Sequence, residues 1–86
     1  MRQMALDFTR AIAPELYSPE IWLRVLFSSK AARSGAVIQR NMRDIERFAG
    51  WERFLREVER RGFQAVENAG QVVIFCNRAP IRTVTR

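Results

Sequence analysis

The chain is 86 residues long, 48% hydrophobic and 28% charged, with six Phe, two Trp and a formal net charge of +6. That length excludes two independent cores, and the aromatic and aliphatic content excludes an intrinsically disordered chain. The single cysteine excludes an intrachain disulfide, and the absence of His removes the commonest general base, the commonest metal ligand and every Ser-His or Cys-His nucleophile pair.

Met4, Phe8 and Ile12 recur at spacing four, which predicts one face of a helix over 3–13 that Pro14 ends. Two roles suit that helix: docking on the core, or acting as an arm that binds a partner. Arg2, Asp7 and Arg10 interrupt any apolar run long enough for a signal peptide, so the expected location is cytoplasmic. Ser18-Pro19-Glu20 is a helix start: a hydroxyl to cap free amides, a proline suited to the first helical position, and a carboxylate that complements the dipole. The helix is predicted over about 19–33, with Gly35 ending it. Its apolar residues Ile21, Trp22, Leu23, Val25, Leu26 and Phe27 cover most of the circumference, which predicts the central, most buried helix. Ala36-Val37-Ile38-Gln39 reads as a short strand.

From Met42 the helical period returns in two stripes. Met42, Ile45, Phe48 and Ala49 form one, and Trp51, Phe54, Leu55 and Val58 the other. At about 100° per residue their mean directions differ by roughly 140°, so one straight helix cannot bury both. A break at Gly50 lets each face the same core, predicting helix (42–49), tight turn, helix (51–61). Phe63 to Glu67 and Gln71 to Cys76 then read as two strands, with Asn68-Ala69-Gly70 as the hairpin turn. The second strand is apolar on both faces, so cover is expected on each side. Its run Val72 to Cys76 is the longest continuous apolar stretch, far short of the roughly 20 residues that span a bilayer, so no transmembrane segment is expected. Pro80 to Arg86 alternates weakly and reads as either a third strand or a basic tail. The fold class is therefore α+β, one domain over 1–86 with its core in 18–77, in the order α-α-β-α-α-β-β and ending in a β-hairpin.

No constellation for catalysis emerges. Cys76 ends an apolar strand, where a thiol acts as a small hydrophobe. The glycines at 35, 50, 62 and 70 each fall at an element boundary rather than in a phosphate loop. Ser28-Ser29-Lys30 offers no Ser-Lys dyad, because adjacent helical residues point in different directions. Glu52 precedes Arg56 by four and Glu57 precedes Arg61 by four, spacings that stabilise a solvated helix. No enzyme activity, metal, cofactor or small-molecule substrate is expected.

The charge points to a polyanion. Fourteen of the fifteen basic residues are Arg, a bias that genomic base composition explains as readily as phosphate recognition. No segment is a basic tail, so a patch has to be assembled by folding. Arg53, Arg56 and Arg60 fall on one helical stripe opposite the Trp51/Phe54/Leu55/Val58 face, positioned for duplex contacts. The bland reading is a solvated face flanked by Glu52, Glu57 and Glu59. Arg40, Arg43, Arg78, Arg82 and Arg86 are further candidates for phosphate contacts.

The element order over residues 19–77, with the Gly50 break, resembles the winged helix-turn-helix. The resemblance implies that the 51–61 helix enters the major groove and that Asn68-Ala69-Gly70 is the wing tip. The chain departs from that pattern in a recognition helix only one charge net positive and a wing almost without basic residues. The stretch Phe54 to Cys76 is also similar to small toxin ribonucleases of the HicA type, but the hairpin strand Gln71-Val72-Val73-Ile74-Phe75 lacks their His, so no ribonuclease activity is carried over. The expectation is a small basic nucleic-acid-binding protein, DNA-binding and regulatory. Its rival is a non-catalytic adaptor or accessory subunit that docks on a larger protein, or self-associates as a homodimer, through Met4, Phe8 and Ile12.

Overall fold

A computed structural model describes residues 18–85. The predicted helix over 3–13, with Met4, Phe8 and Ile12, and the candidate contact Arg86 lie outside the described residues.

Helix α1 spans Pro19–Phe27, and the Ser18 hydroxyl caps it by accepting from the Ile21 N–H at 3.2 Å. The single helix expected to residue 33 is instead interrupted at two serines. The Ser28 hydroxyl donates to the Val25 carbonyl at 3.2 Å, and the Ser29 hydroxyl accepts from the Ala32 N–H at 3.3 Å, capping the one-turn α2 (Lys30–Arg33). Serine hydroxyls compete with the backbone ladder in this way, and two in succession stop and restart the helix. Nor is α1 buried all round. Leu23, Leu26 and Phe27 enter the core, but Ile21 and Val25 are 40% and 47% exposed.

Strand β1 (Val37–Asn41) leads directly into α3 (Met42–Phe48), which Asn41 caps by accepting from the Arg43 N–H at 2.8 Å. Helix α4 (Trp51–Arg60) follows after Ala49 and Gly50. Gly50 has φ +90°, ψ 132°, a region that residues with a Cβ rarely enter, and its N–H donates to the Ile45 carbonyl at 2.9 Å. The redirected chain turns both stripes toward the core: Ile45 from the first and Phe54 from the second are each 0% exposed, whereas Leu55, expected on the buried face of the second, is 39% exposed. With no side chain at the N-cap, α4 takes its cap from the preceding helix. The Glu46 carboxylate accepts from the Trp51 N–H at 3.0 Å. The far end closes as a Schellman motif, with the Phe63 N–H on the Val58 carbonyl (2.9 Å) and the Gly62 N–H on that of Glu59 (3.0 Å).

Strands β2 (Gln64–Asn68) and β3 (Gln71–Phe75) form the hairpin, and β1 adds antiparallel to the other edge of β3, giving sheet order β1-β3-β2. Val37 and Gln64 both lie opposite Phe75, and Asn41 and Asn68 both lie opposite Gln71. Because Asn68 is paired, the loop is two residues rather than three. Ala69 and Gly70 have φ of +53° and +81°, as in a type I′ turn. One face of β3 sends Val72 and Ile74 into the core against the helices. On the other, Val73 and Phe75 are only half-buried and their neighbours Val37 and Val66 are exposed, so the expected cover on both faces is found on one. Residues 77–85 form neither strand nor helix. The Gln64 amide donates to the carbonyls of Asn77 (3.1 Å) and Ala79 (2.6 Å) and ties the start of this segment to β2. The protein is thus a small α+β domain of four described helices and a three-stranded antiparallel sheet. Among the described residues, no helix is long and apolar enough to cross a membrane.

Candidate nucleic-acid interface

Packing of Phe54 and Val58 into the core leaves Arg53, Arg56 and Arg60 exposed on α4, as the helical period requires. The three do not stand free in solvent together. Arg53 forms an ion pair with Glu20, bringing the first turn of α4 against the first turn of α1. Arg60 holds both oxygens of Glu57, at 3.2 and 2.6 Å. Arg61 adds a 2.6 Å contact to the same carboxylate, and its guanidinium sits 5.0 Å from the centroid of Phe27. Arg56 has no ion pair among the described residues, and the expected Glu52–Arg56 pair is not formed; the Glu57–Arg61 pair is.

The two guanidinium groups act on Glu57 in one direction. The hydrogen bond from Arg60, and then the bond and charge of Arg61, hold its carboxyl below the ordinary value against the opposing effect of burial. Glu57 in return raises Arg60. Burial pushes the Cys76 thiol up, with Arg61 partly offsetting it, so Cys76 is a core side chain with little thiolate at neutral pH.

Helices α1 and α4 enclose a groove of about 360 Å³. Arg24 of α1 faces Arg53, Arg56, Arg60 and Arg61 of the α4 segment across it, and among the described residues Glu20 and Glu57 supply the only carboxylates on its walls. Five guanidinium groups against two carboxylates leave the groove strongly cationic. Comparison with protein-family models, curated proteins and solved structures finds no match.

The remaining sequence candidates are dispersed. Arg43 lines a separate cleft between the start of α3 and the hairpin turn. The Arg78 guanidinium lies against Gly62 at the far end of α4, so closely that a Cβ there would come within 3 Å of it. Arg40 is on β1 with its guanidinium turned back to the Gln39 carbonyl at 2.7 Å, and Arg82 is exposed on the C-terminal segment. Arg43 and Arg78 therefore bracket α4, whereas Arg40 and Arg82 join no cluster with the ridge. Sequence reasoning missed Arg24 and Glu20, whose place opposite α4 depends on how two helices pack and leaves no local signal. It also missed Arg61 as a groove residue, although its spacing from Glu57 was legible.

Proposed function

We propose that this is a small nucleic-acid-binding protein, DNA-binding and regulatory, that presents α4 to the polyanion. The observation that carries the reading is the ridge Arg53-Arg56-Arg60, extended across the groove by Arg24. The Arg53–Glu20 pair is exposed on both sides and is worth only about 0–1 kcal/mol, so a phosphate oxygen can take over that guanidinium at little cost, and Arg56 has no ion pair to give up among the described residues. The arrangement helix, strand, helix, tight turn, helix, hairpin, with β1 beside β3, supports a winged-helix-like use of the elements. In that use α4 enters the groove of the duplex and the Ala69-Gly70 turn lies beside it. Arg43 and Arg78, at the two ends of α4, are placed for flanking phosphates.

The test is fluorescence anisotropy with duplex DNA and RNA across a salt series. Alanine at Arg53, Arg56 and Arg60 together is expected to weaken binding and to reduce the slope of log affinity against log salt by about 2–3. An unchanged slope removes α4 from the interface.

A second reading, an adaptor that docks on another protein or on itself, is favoured by one observation: Ile21 and Val25, one helical turn apart on α1, remain exposed. Sedimentation decides it. Self-association that disappears on deletion of residues 1–13 supports this reading, and a protein that is monomeric both before and after the deletion, with unchanged stability, opposes it.

A further inference from the structure

The cationic groove is one end of a longer concave path. Beside the start of α3 a cleft of about 500 Å³ is walled by Met42 and Trp51, with Arg43 on its rim and the Ala69-Gly70 turn closing one side. A second hollow of about 450 Å³ lies along the first turns of α4 and shares Trp51 and Glu46 with that cleft. It also shares Arg53 and Arg56 with the α1/α4 groove. The depressions thus run continuously from the hairpin turn, past a half-buried tryptophan, along the arginine ridge. The Glu46 carboxylate on this path is already engaged by the Trp51 N–H; Glu52 lines the second hollow beside Arg53 and Arg56, and Glu59 borders the ridge at Arg56 and Arg60, so the arginines outnumber but do not exclude carboxylates along the path.

The composition of the path suits a single strand. Arg53, Arg56 and Arg60 are separated by axial rises of about 4.5 and 6 Å, at 1.5 Å per residue, and form a basic row that a phosphate backbone can follow. A tryptophan at one end of a row of arginines supplies the other half of single-strand recognition, a π face on which any base can stack.

We propose that Trp51 and Met42 form a stacking site for an unpaired nucleobase, whose strand continues with its phosphates along Arg53, Arg56 and Arg60. This rests on the reading of α4 as a nucleic-acid-binding helix and makes an unpaired strand, in place of the duplex groove, the ligand of its ridge. Deoxyribose and ribose strands share this chemistry, so both are tested.

The experiment measures anisotropy of wild-type protein with fluorescein-labelled oligo-dT and oligo-U of eight nucleotides. It also measures a strand of the same length and charge whose central nucleotides are abasic, and a duplex, all across a salt series up to physiological ionic strength. Base-containing strands are expected to bind about ten-fold tighter than the abasic strand. Trp51→Ala is expected to erase that difference and Trp51→Phe to keep most of it, while the salt slope of both variants stays at the wild-type value. Because the abasic comparison uses unaltered protein, it stands even if Trp51→Ala is poorly folded. Equal binding of abasic and base-containing strands, with an arginine-dependent salt slope retained, overturns the stacking site and leaves polyanion binding intact. No binding of any strand or duplex overturns both.

Discussion

Phe27 of α1 and Phe54 of α4 stack with ring centroids 6.5 Å apart and planes 18° from parallel, and this contact holds together the two helices that form the cationic groove. Phe63 also packs against Phe27, with centroids 5.7 Å apart, and Trp51 against Phe54 at 5.5 Å. Phe54 is fully buried, so Phe54→Ala removes a large side chain from a site lined on several sides. The expected cost is about 3–5 kcal/mol, a large part of the stability of so small a domain, read by urea or thermal unfolding.

Gly50 carries the turn between α3 and α4. Nothing lies within 4 Å of where a Cβ would sit, so Gly50→Ala meets no clash and isolates the cost of its backbone conformation. At φ +90° that cost is expected to be about 1–3 kcal/mol. Loss of less than half a kcal/mol in chemical denaturation would show that the turn relaxes instead.

The reversal at Gly50 was legible because it follows from angles: two apolar stripes about 140° apart have to be reconciled by a break, and only one residue between them permits it. The hairpin was legible because its two strand-like runs and the glycine-containing turn between them are adjacent in the chain, although the pairing of Asn68 with Gln71 shortened the turn by one residue. The Ser28-Ser29 interruption was not, because apolar residues continue up to Phe27 and the competing bonds are made by hydroxyls that periodicity ignores. Pairing of Val37 with Phe75, and of Glu20 with Arg53, joins residues far apart in sequence through packing that no local pattern encodes. For the site this means that the ridge on α4 could be read from spacing, whereas the groove that gives it a second wall could not.

In the hairpin, Ala69 occupies φ +53°, where a Cβ crowds the backbone and where Asn and Gly are the favoured residues. Ala69→Asn is expected to stabilise the protein by up to about 1 kcal/mol, measured as a raised denaturation midpoint at unchanged m-value. A lowered midpoint would mean that the methyl group makes a contact worth more than the relieved strain.

Glu57 sets an acid limb of stability. Its carboxyl is held below the ordinary value, first by the hydrogen bond from Arg60, so the unfolded chain takes up the proton at a higher pH than the folded one. The Glu57 contribution is therefore complete above the unfolded carboxyl pKa of about 4.3 and is lost as pH falls through the lower native value. Glu57→Gln is expected to be less stable than wild type at neutral pH, with the two stability curves converging below about pH 4. Parallel curves down to pH 2 would show that the carboxylate gains nothing from Arg60 and Arg61 on folding.

Glu20 offers a way to separate charge from structure in the groove. Its pair with Arg53 joins side chains that are 63% and 43% exposed, so the pair adds at most about 1 kcal/mol to stability and is screened by salt. For a polyanion approaching the groove, however, Glu20 is one of two carboxylates that the described residues place on the walls, and it occupies the guanidinium that a phosphate would take. Glu20→Gln keeps the side-chain size while removing the charge. Affinity for nucleic acid is then expected to rise several-fold at low salt, with a steeper salt dependence as Arg53 gains a phosphate. Thermal stability should change little. The same substitution acts in the opposite sense if the pair serves to aim Arg53: affinity falls at every salt concentration, and the ridge works through its geometry rather than its net charge.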